Sequence, residues 1–366
     1  MVGIMATVGD PRREHGKRHK LEDVLTIALC TVLCGSSEFT EMECFGKLRR
    51  EWLEGFLELP NGIPSHDTFR NVFAAIDPAE FMGAFALWTQ NVYRKLGGEV
   101  VAFDGKALRG TKRDMEEMTT MVGAWAAGAG ISLGQVEVEG KSNEITALPK
   151  LLQILDLKGC IVTADAMGCQ RQIAAKCAEA GADYVLAVKG NQPDLHEQVS
   201  GAMDVIAEDE DAHHTETGQG RGRVETRRCW AIDGVGAWLD GHEKWKGLRS
   251  IAVVESERTE KGATSIERRY FISSLPPDAA KIAAAARSHW RVENSLHWVL
   301  DVVFGEDAAR ARTKNAAGNL SSLRRLALNL IKSEEQYSEW AVKKRRLAAS
   351  LDPDYLGKLL GLKSDA

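Results

Sequence analysis

Three acidic side chains, Asp104, Asp165 and Glu293, are the residues of this 366-residue chain best placed to do chemistry. Asp104 closes the apolar run Val100-Val101-Ala102-Phe103, and Asp165 closes Cys160-Ile161-Val162-Thr163-Ala164. Each run reads as a short buried strand, being continuous and rich in β-branched residues. A strand buried on both faces cannot carry a charged carboxylate along its length, because desolvation is too costly. At the C-terminal mouth of the strand the same carboxylate points into the crevice where open α/β sheets bind ligands. Glu293 stands on a helical stretch much further along. Three carboxylates converging from two strand ends and a helix can hold hard divalent cations, which prefer oxygen ligands. Two such ions roughly 3.5–4 Å apart clamp the attacking and leaving oxygens of an in-line phosphoryl displacement. They also supply the positive charge that lets a phosphate enter an acidic site. Either Asp alone would read as an ordinary strand-end turn residue; the pair, with a Glu on a following long helix, favours the metal site.

The same helix offers a rival reading. His289, Glu293 and His297 stand at i, i+4 and i+8, so they share a helix face. Such a stripe could bind zinc, but it lacks the two-His i, i+4 pair, and the sequence shows no obvious third ligand. The plainer alternative is that one His orients Glu293 while Trp290 and Trp298 pack the helix on the sheet. The seven cysteines are odd in number, irregularly spaced and mostly inside apolar segments. They fit reduced core thiols of a cytosolic protein better than a disulfide framework, and Cys30 with Cys34 lacks the second pair a zinc site needs.

Elements that could position these groups follow from the pattern. Leu21, Val24, Leu25, Ala28, Leu29, Val32 and Leu33 keep helical spacing, and Glu41–Leu59 resumes it after a Gly35-Ser36-Ser37 break. Ser65 is placed to cap a helix over Thr68–Ile76, and Pro78 opens another that runs to about Leu96. These helices read equally as a helix-turn-helix DNA reader or as a bundle packed on the next domain. From residue 99 the order is strand, strand, strand, helix, strand, helix, strand: the run into Asp104, Met121–Ala126, Ile131–Val138, Ala147–Leu155, Gly159–Asp165, Arg171–Ala180 and Tyr184–Lys189. Gly128 and Gly130 suggest a hairpin turn between the second and third strands. This is the element order of the ribonuclease H-like fold, whose first and fourth strands are neighbours, so Asp104 and Asp165 are expected side by side. The fold class expected is therefore α/β, a mixed five-stranded sheet flanked by helices. Residues of about 193–276 intervene before the last helix: an acidic helix, the polar stretch His213–Arg228, then two β-like runs, Leu248–Ser256 and Ile266–Ser273. Arg221, Arg223, Arg227 and Arg228 in this partly β insertion are either a phosphate-facing edge or a solvated strand. Asp278 is expected to cap the long helix that holds Glu293. The expected division is 1–97 helical, 98–332 catalytic with the insertion, and 333–366 a basic tail.

The totals exclude little and allow much. The net charge of −5 gives no global sign of a polyanion partner, but residues 310–346 hold ten Lys or Arg against three Glu. The N-terminus leads into a charged segment around Asp10–Lys20 rather than an apolar core with a cleavage site. No apolar run approaches the roughly 20 residues of a membrane helix. A cytoplasmic location is the expectation.

Longer segments carry a specific resemblance. Ile63-Pro-Ser-His-Asp-Thr-Phe-Arg70, Ala102-Phe-Asp-Gly-Lys-Ala-Leu-Arg-Gly110 and Asn143-Glu-Ile-Thr-Ala-Leu-Pro149 come first along the chain. Thr163-Ala-Asp-Ala-Met167, Val188-Lys-Gly-Asn-Gln192 and His289-Trp-Arg-Val-Glu-Asn-Ser-Leu-His-Trp-Val-Leu-Asp301 follow in order. With these segments the chain, from about Asp10 to Leu360, resembles the DDE transposases of bacterial insertion sequences, in particular the H-repeat-associated, ISAs-type group. The resemblance implies a ribonuclease H-like core, dependence on Mg²⁺ or Mn²⁺ with two ions, and binding to terminal inverted repeats. It further implies strand cleavage and strand transfer to target DNA, a homodimer holding two ends, and a place on the bacterial nucleoid. By position it makes Asp104, Asp165 and Glu293 the metal-binding catalytic carboxylates. It makes Lys189, Asn191 and Gln192 contacts for the DNA backbone, joined as DNA-binding candidates by Lys106, Arg109, His289 and Arg291. The wider pattern Tyr-x2-Arg-x3-Glu-x6-Lys is not kept, since the corresponding positions are Ala286, His289 and Leu300. His289, Arg291 or the basic 310–314 segment would have to substitute. A catalytically idle DNA-binding relative and a ribonuclease H-like nuclease without strand transfer are the competing readings.

Overall fold

The computed structural model describes residues 1–14, 17–92, 98–112, 118–138, 144–220 and 222–362. Its centre is one sheet of nine strands: β1 (Val100–Ala107), β2 (Thr120–Ala126), β3 (Ile131–Glu137), β4 (Ile161–Ala164), β5 (Asp183–Val188), β6 (His214–Gly220), β7 (Arg223–Ile232), β8 (Ser250–Glu260) and β9 (Ala263–Ser273). The order is β3-β2-β1-β4-β5-β9-β8-β7-β6. β1 is parallel to β4 and β4 to β5, while every other neighbouring pair is antiparallel. The first five strands thus take the ribonuclease H-like arrangement, with β1 beside β4. The insertion does not form a separate body: β9 pairs with β5 over Val185–Val188 and carries the other three strands with it.

Two of those four strands come from the polar stretch that gave no apolar pattern. The reason is exposure. β6 and the outer ends of β7, β8 and β9 are solvated on both faces, whereas the inner ends (Cys229, Trp230, Ile251–Val254, Phe271, Ile272) are buried. Four long strands therefore leave the core as a twisted arm.

Both faces of the central strands are covered, which is why they read as continuous apolar runs. On one face lie the helices Glu144–Ile154, Arg171–Glu179 and Pro193–Asp209, through Leu148, Leu151, Ile173, Cys177, Val199 and Met203. On the other lies the helix Ala279–Val292, started by Asp278, whose carboxylate accepts from the Lys281 amide at 3.0 Å. Its sheet-facing side is Ala279, Ile282, Ala283, Ala285 and Ala286, and the four alanines let the helix axis sit close to the strands.

The helix Ala316–Ser333 is the hub of the second half of the core. Helix Leu21–Leu33, buried at every position but Glu22, packs on it together with His66–Ala75 and Pro78–Val92. Ser65 caps the second of these as expected, accepting from the Thr68 amide. The N-terminal helices are thus a bundle around Ala316–Ser333. The C-terminal residues fold back on the same bundle as two helices, Val342–Leu351 and Pro353–Leu360. Much of the local positive charge turns inward there: Arg324, Arg325, Arg345 and Arg346 are all buried. Arg346 donates to the Val32 carbonyl and stacks 4.1 Å from the Phe304 ring centroid.

Candidate metal centre

Asp104 is held inside a strand, not at its end. β1 continues to Ala107 alongside β2, with Asp104 opposite Gly123. β4, however, stops at Ala164, so beyond the Phe103–Ala164 pair β1 loses its neighbour on that side. The early end of β4 makes the mouth that was expected from the strand ends. Asp165 turns the chain there, its Oδ1 accepting from the amides of Met167 at 3.0 Å and Gly168 at 3.3 Å. Only glycine suits position 168, because a Cβ would lie 2.5 Å from that of Ala164. Asn191 donates to the Ala166 carbonyl at 2.6 Å and Gln192 to the Cys169 carbonyl at 3.1 Å. These two side chains therefore tie the loop after β5 to the loop that carries Asp165.

Glu293 arrives from the other side. Its helix widens where the functional residues begin: the Trp298 amide bonds back to the Glu293 carbonyl and the Phe304 amide to that of Val299, so Glu293–His297 and Val299–Val303 are π-helical turns. Such turns are rare and recur at functional sites. The wider turn places His297 over β1, with its Nδ1 3.5 Å from Asp104 Oδ2 and 3.5 Å from Glu293 Oε2. The ligand atoms of Asp104, Glu293 and His297 all lie within 4.8 Å of one another. Asp165 is outside that group but lines the same cleft, of about 410 Å³, together with Asp104, Glu293, Thr163, Lys189 and His289.

The two histidines of the stripe divide. His289, only 8% exposed, puts Nδ1 3.2 Å from the Thr163 hydroxyl, and burial pushes its pKa down to about 4. His297 is equally buried; burial, then the nearby Arg325 and Lys106 charges, push it down to about 3. Both imidazoles are neutral at pH 7, so His289 offers a phosphate no positive charge. The tryptophans are not buried between helix and sheet: Trp290 is 42% and Trp298 55% exposed, although Trp290 meets Arg269 of β9. The third group that the sequence did not bring to the Glu293–His297 pair is Asp104, whose carboxylate lies within 4.8 Å of both.

The other DNA-binding candidates scatter. Lys189 lines the cleft at the end of β5. Lys106 is buried, its Nζ 2.6 Å from Asp301 Oδ1 and 3.5 Å from Asp307 Oδ1. Arg109 lies in the open, 3.6 Å from Asp307. Arg291 belongs to a second groove, which also holds Arg223, Arg227, Arg258, Arg269 and Arg287. That groove meets the acidic cleft at Glu267, Arg269, Trp290 and Glu293, where the Arg269 guanidinium stacks 4.2 Å over Trp290. Of the insertion's arginines, Arg223 and Arg227 face this groove. Arg228 points to the opposite face and pairs with Glu255 and Glu257, and Arg221 lies outside the described residues. Arg258, Arg269 and Arg287 went unnoticed because their convergence depends on strand pairing, which residue spacing does not reveal. The 310–314 segment is partly engaged, since Arg312 donates to the Gly110 carbonyl at 2.8 Å.

Comparison with known proteins bears on what this cleft is for. A family profile described as "Transposase DDE domain" matches residues 95–330, and one described as "DDE_Tnp_1-associated" matches residues 2–89. The chain belongs to the DDE transposase family. It is 38% identical to YncI of Escherichia coli O157:H7, which carries transposase in its name, over 98% of this chain and 94% of that protein. It is 35% identical to YhhI of Escherichia coli K12, named as H repeat-associated and a transposase, over 97% of this chain and 96% of that one. A solved piggyBac transposase synaptic complex with hairpin DNA is 11% identical, covering 99% of this chain and 80% of that one at a TM-score of 0.42, too distant a likeness to carry weight. Transposases of this family are DNA-cutting and DNA-joining enzymes that use divalent metal ions. The donor set here, two carboxylates and a neutral buried imidazole within one ion's reach, fits such a cation. Among the described residues no helix is long and apolar enough to cross a membrane.

Proposed function

We propose that the chain is the transposase of an insertion sequence, which binds the element's terminal inverted repeats, cleaves their strands and joins them to target DNA. In this reading Asp104, Asp165 and Glu293 are the catalytic carboxylates and hold two Mg²⁺ or Mn²⁺ ions. The observation that carries it is the meeting of all three carboxylates in one cleft that opens onto an arginine-lined groove. Bound ions would activate the nucleophilic oxygen and neutralise the leaving one. The protein's own part is positional. β1 and the π-helical turn fix Asp104 against Glu293, while Asn191 and Gln192 hold the Asp165 loop in place and so act through it. Lys189 faces the cleft as a backbone contact. Arg223 and Arg291 line the groove by which a strand's phosphates approach, while Arg227 and Arg258 are shared with Glu225, Arg269 with Glu267 and Arg287 with Glu216. The protein acts in the cytoplasm on the nucleoid as a homodimer bridging two ends. The regions 1–97, 98–332 and 333–366 serve as DNA-associated, catalytic and C-terminal parts of one packed body.

The test separates binding from cleavage. Asp104→Ala, Asp165→Ala and Glu293→Ala are each expected to abolish cleavage of DNA bearing the terminal repeats while a mobility-shift assay still shows binding. Retained metal-dependent cleavage in Asp104→Ala would sink the assignment. Tight binding with no nicking by the wild type would instead favour an idle DNA-binding relative.

A further inference from the structure

We propose that His297 is a direct ligand of the ion held by Asp104 and Glu293, so that this site favours Mn²⁺ over Mg²⁺. The inference rests on the carboxylate reading above and adds a nitrogen donor to it. Its basis is geometric. The imidazole is nine-tenths buried, and its Nδ1 stands 3.5 Å from a carboxylate oxygen of each neighbour. All three ligand atoms fit inside 4.8 Å. The π-helical turn Glu293–His297 is what aims the ring at Asp104 as well as at Glu293. Asp165, whose Oδ1 is occupied by two amides of its own turn, is not part of this group. An imidazole beside two carboxylates changes the chemistry of the donor set. Mg²⁺ is bound by oxygen and gives up its waters reluctantly, whereas a first-row ion takes up an imidazole nitrogen more readily, Mn²⁺ least strongly among them while keeping its carboxylates. The stripe that suggested zinc in the sequence thus becomes half of a mixed site: His297 joins it, and His289 turns to Thr163.

Untagged wild-type protein, freed of metal and titrated with Mn²⁺ alone, gives the decisive reading by electron spin-echo modulation. A coordinated imidazole is expected to appear as ¹⁴N coupling to the bound Mn²⁺. His289→Gln is expected to keep that coupling and His297→Asn to lose it. Calorimetry on His297→Asn is expected to show Mn²⁺ affinity down on the order of tenfold or more, with Mg²⁺ affinity little changed. Mn²⁺ binding that depends on Asp104 but shows no ¹⁴N coupling in the wild type would overturn the proposal and leave the carboxylate site standing. Coupling that survives in His297→Asn would overturn it too. Mn²⁺ binding indifferent to Asp104→Asn would remove the site beneath both.

Discussion

His289 and His297 show how burial sets the chemistry of single residues here. Each imidazole would titrate near 6.5 in an unfolded chain, but in the fold they stay neutral down to about 4 and about 3. As pH falls below about 6.5, the unfolded chain binds protons that the native state refuses. The stability these residues contribute is therefore fully present above that pH and is lost as pH drops toward the folded values. One such proton corresponds to about 1.4 kcal/mol per pH unit, so His289 alone accounts for roughly 3 kcal/mol between pH 6.5 and 4. Urea unfolding of the metal-free protein should show the midpoint dropping between pH 7 and 5. His289→Gln, which can keep a hydrogen bond to Thr163, should lose one proton's share of that slope. Equal slopes for the two proteins would show that His289 is already protonated in the fold.

At the level of elements, the distance between β1 and the Glu293 helix is held by charges buried behind the site. Lys106 follows Asp104 by two positions and so shares its face of β1; it binds Asp301, which follows Glu293 on the helix. Behind them is Glu306, fully buried, with Ser321 donating to its Oε1 at 2.8 Å and Arg325 at 3.3 Å. Burial pushes the Glu306 carboxyl up, but Arg325, Arg324 and Lys106 together outweigh it and leave it below the usual range. Removing one partner from such a network strands the others without compensation. Glu306→Ala should therefore cost roughly 3–5 kcal/mol in chemical denaturation; a loss under about 1 kcal/mol would mean that the network does not brace the site. Much at this scale was legible in the sequence. The strands into Asp104 and Asp165, the Ser65 and Asp278 caps and the helix of Glu293 all follow from apolar runs and cap residues. Other features were not. The extension of β1 past Asp104 depends on pairing with β2, and the π-helical turn leaves no mark in residue spacing. Lys106 read as a DNA contact because its partners, Asp301 and Asp307, are distant in sequence.

The whole molecule is organised by one helix and one sheet. Ala316–Ser333 is pinned at both ends: Asn319 donates to the Phe73 and Ile76 carbonyls, and Asn329 exchanges two hydrogen bonds with the backbone of Ser132 on β3. The N-terminal helices, the C-terminal helices and one face of the sheet thus share a core. The basic 310–346 segment suggested a nucleic-acid surface, yet its buried arginines hold that core together. Six arginines of the four-stranded arm and the Glu293 helix line instead the groove that leads to the acidic cleft. The sequence pattern could show this only in part, because the arm's strands are too solvated to alternate.

That path and that cleft are tested together by incubating a plasmid that carries the element's own ends with wild-type protein and with Glu293→Ala, in Mg²⁺, in Mn²⁺ and in chelator. Cuts at the element ends are expected with either metal, and from the wild type alone. Cuts at the ends by Glu293→Ala, or cutting that continues in chelator, would contradict it.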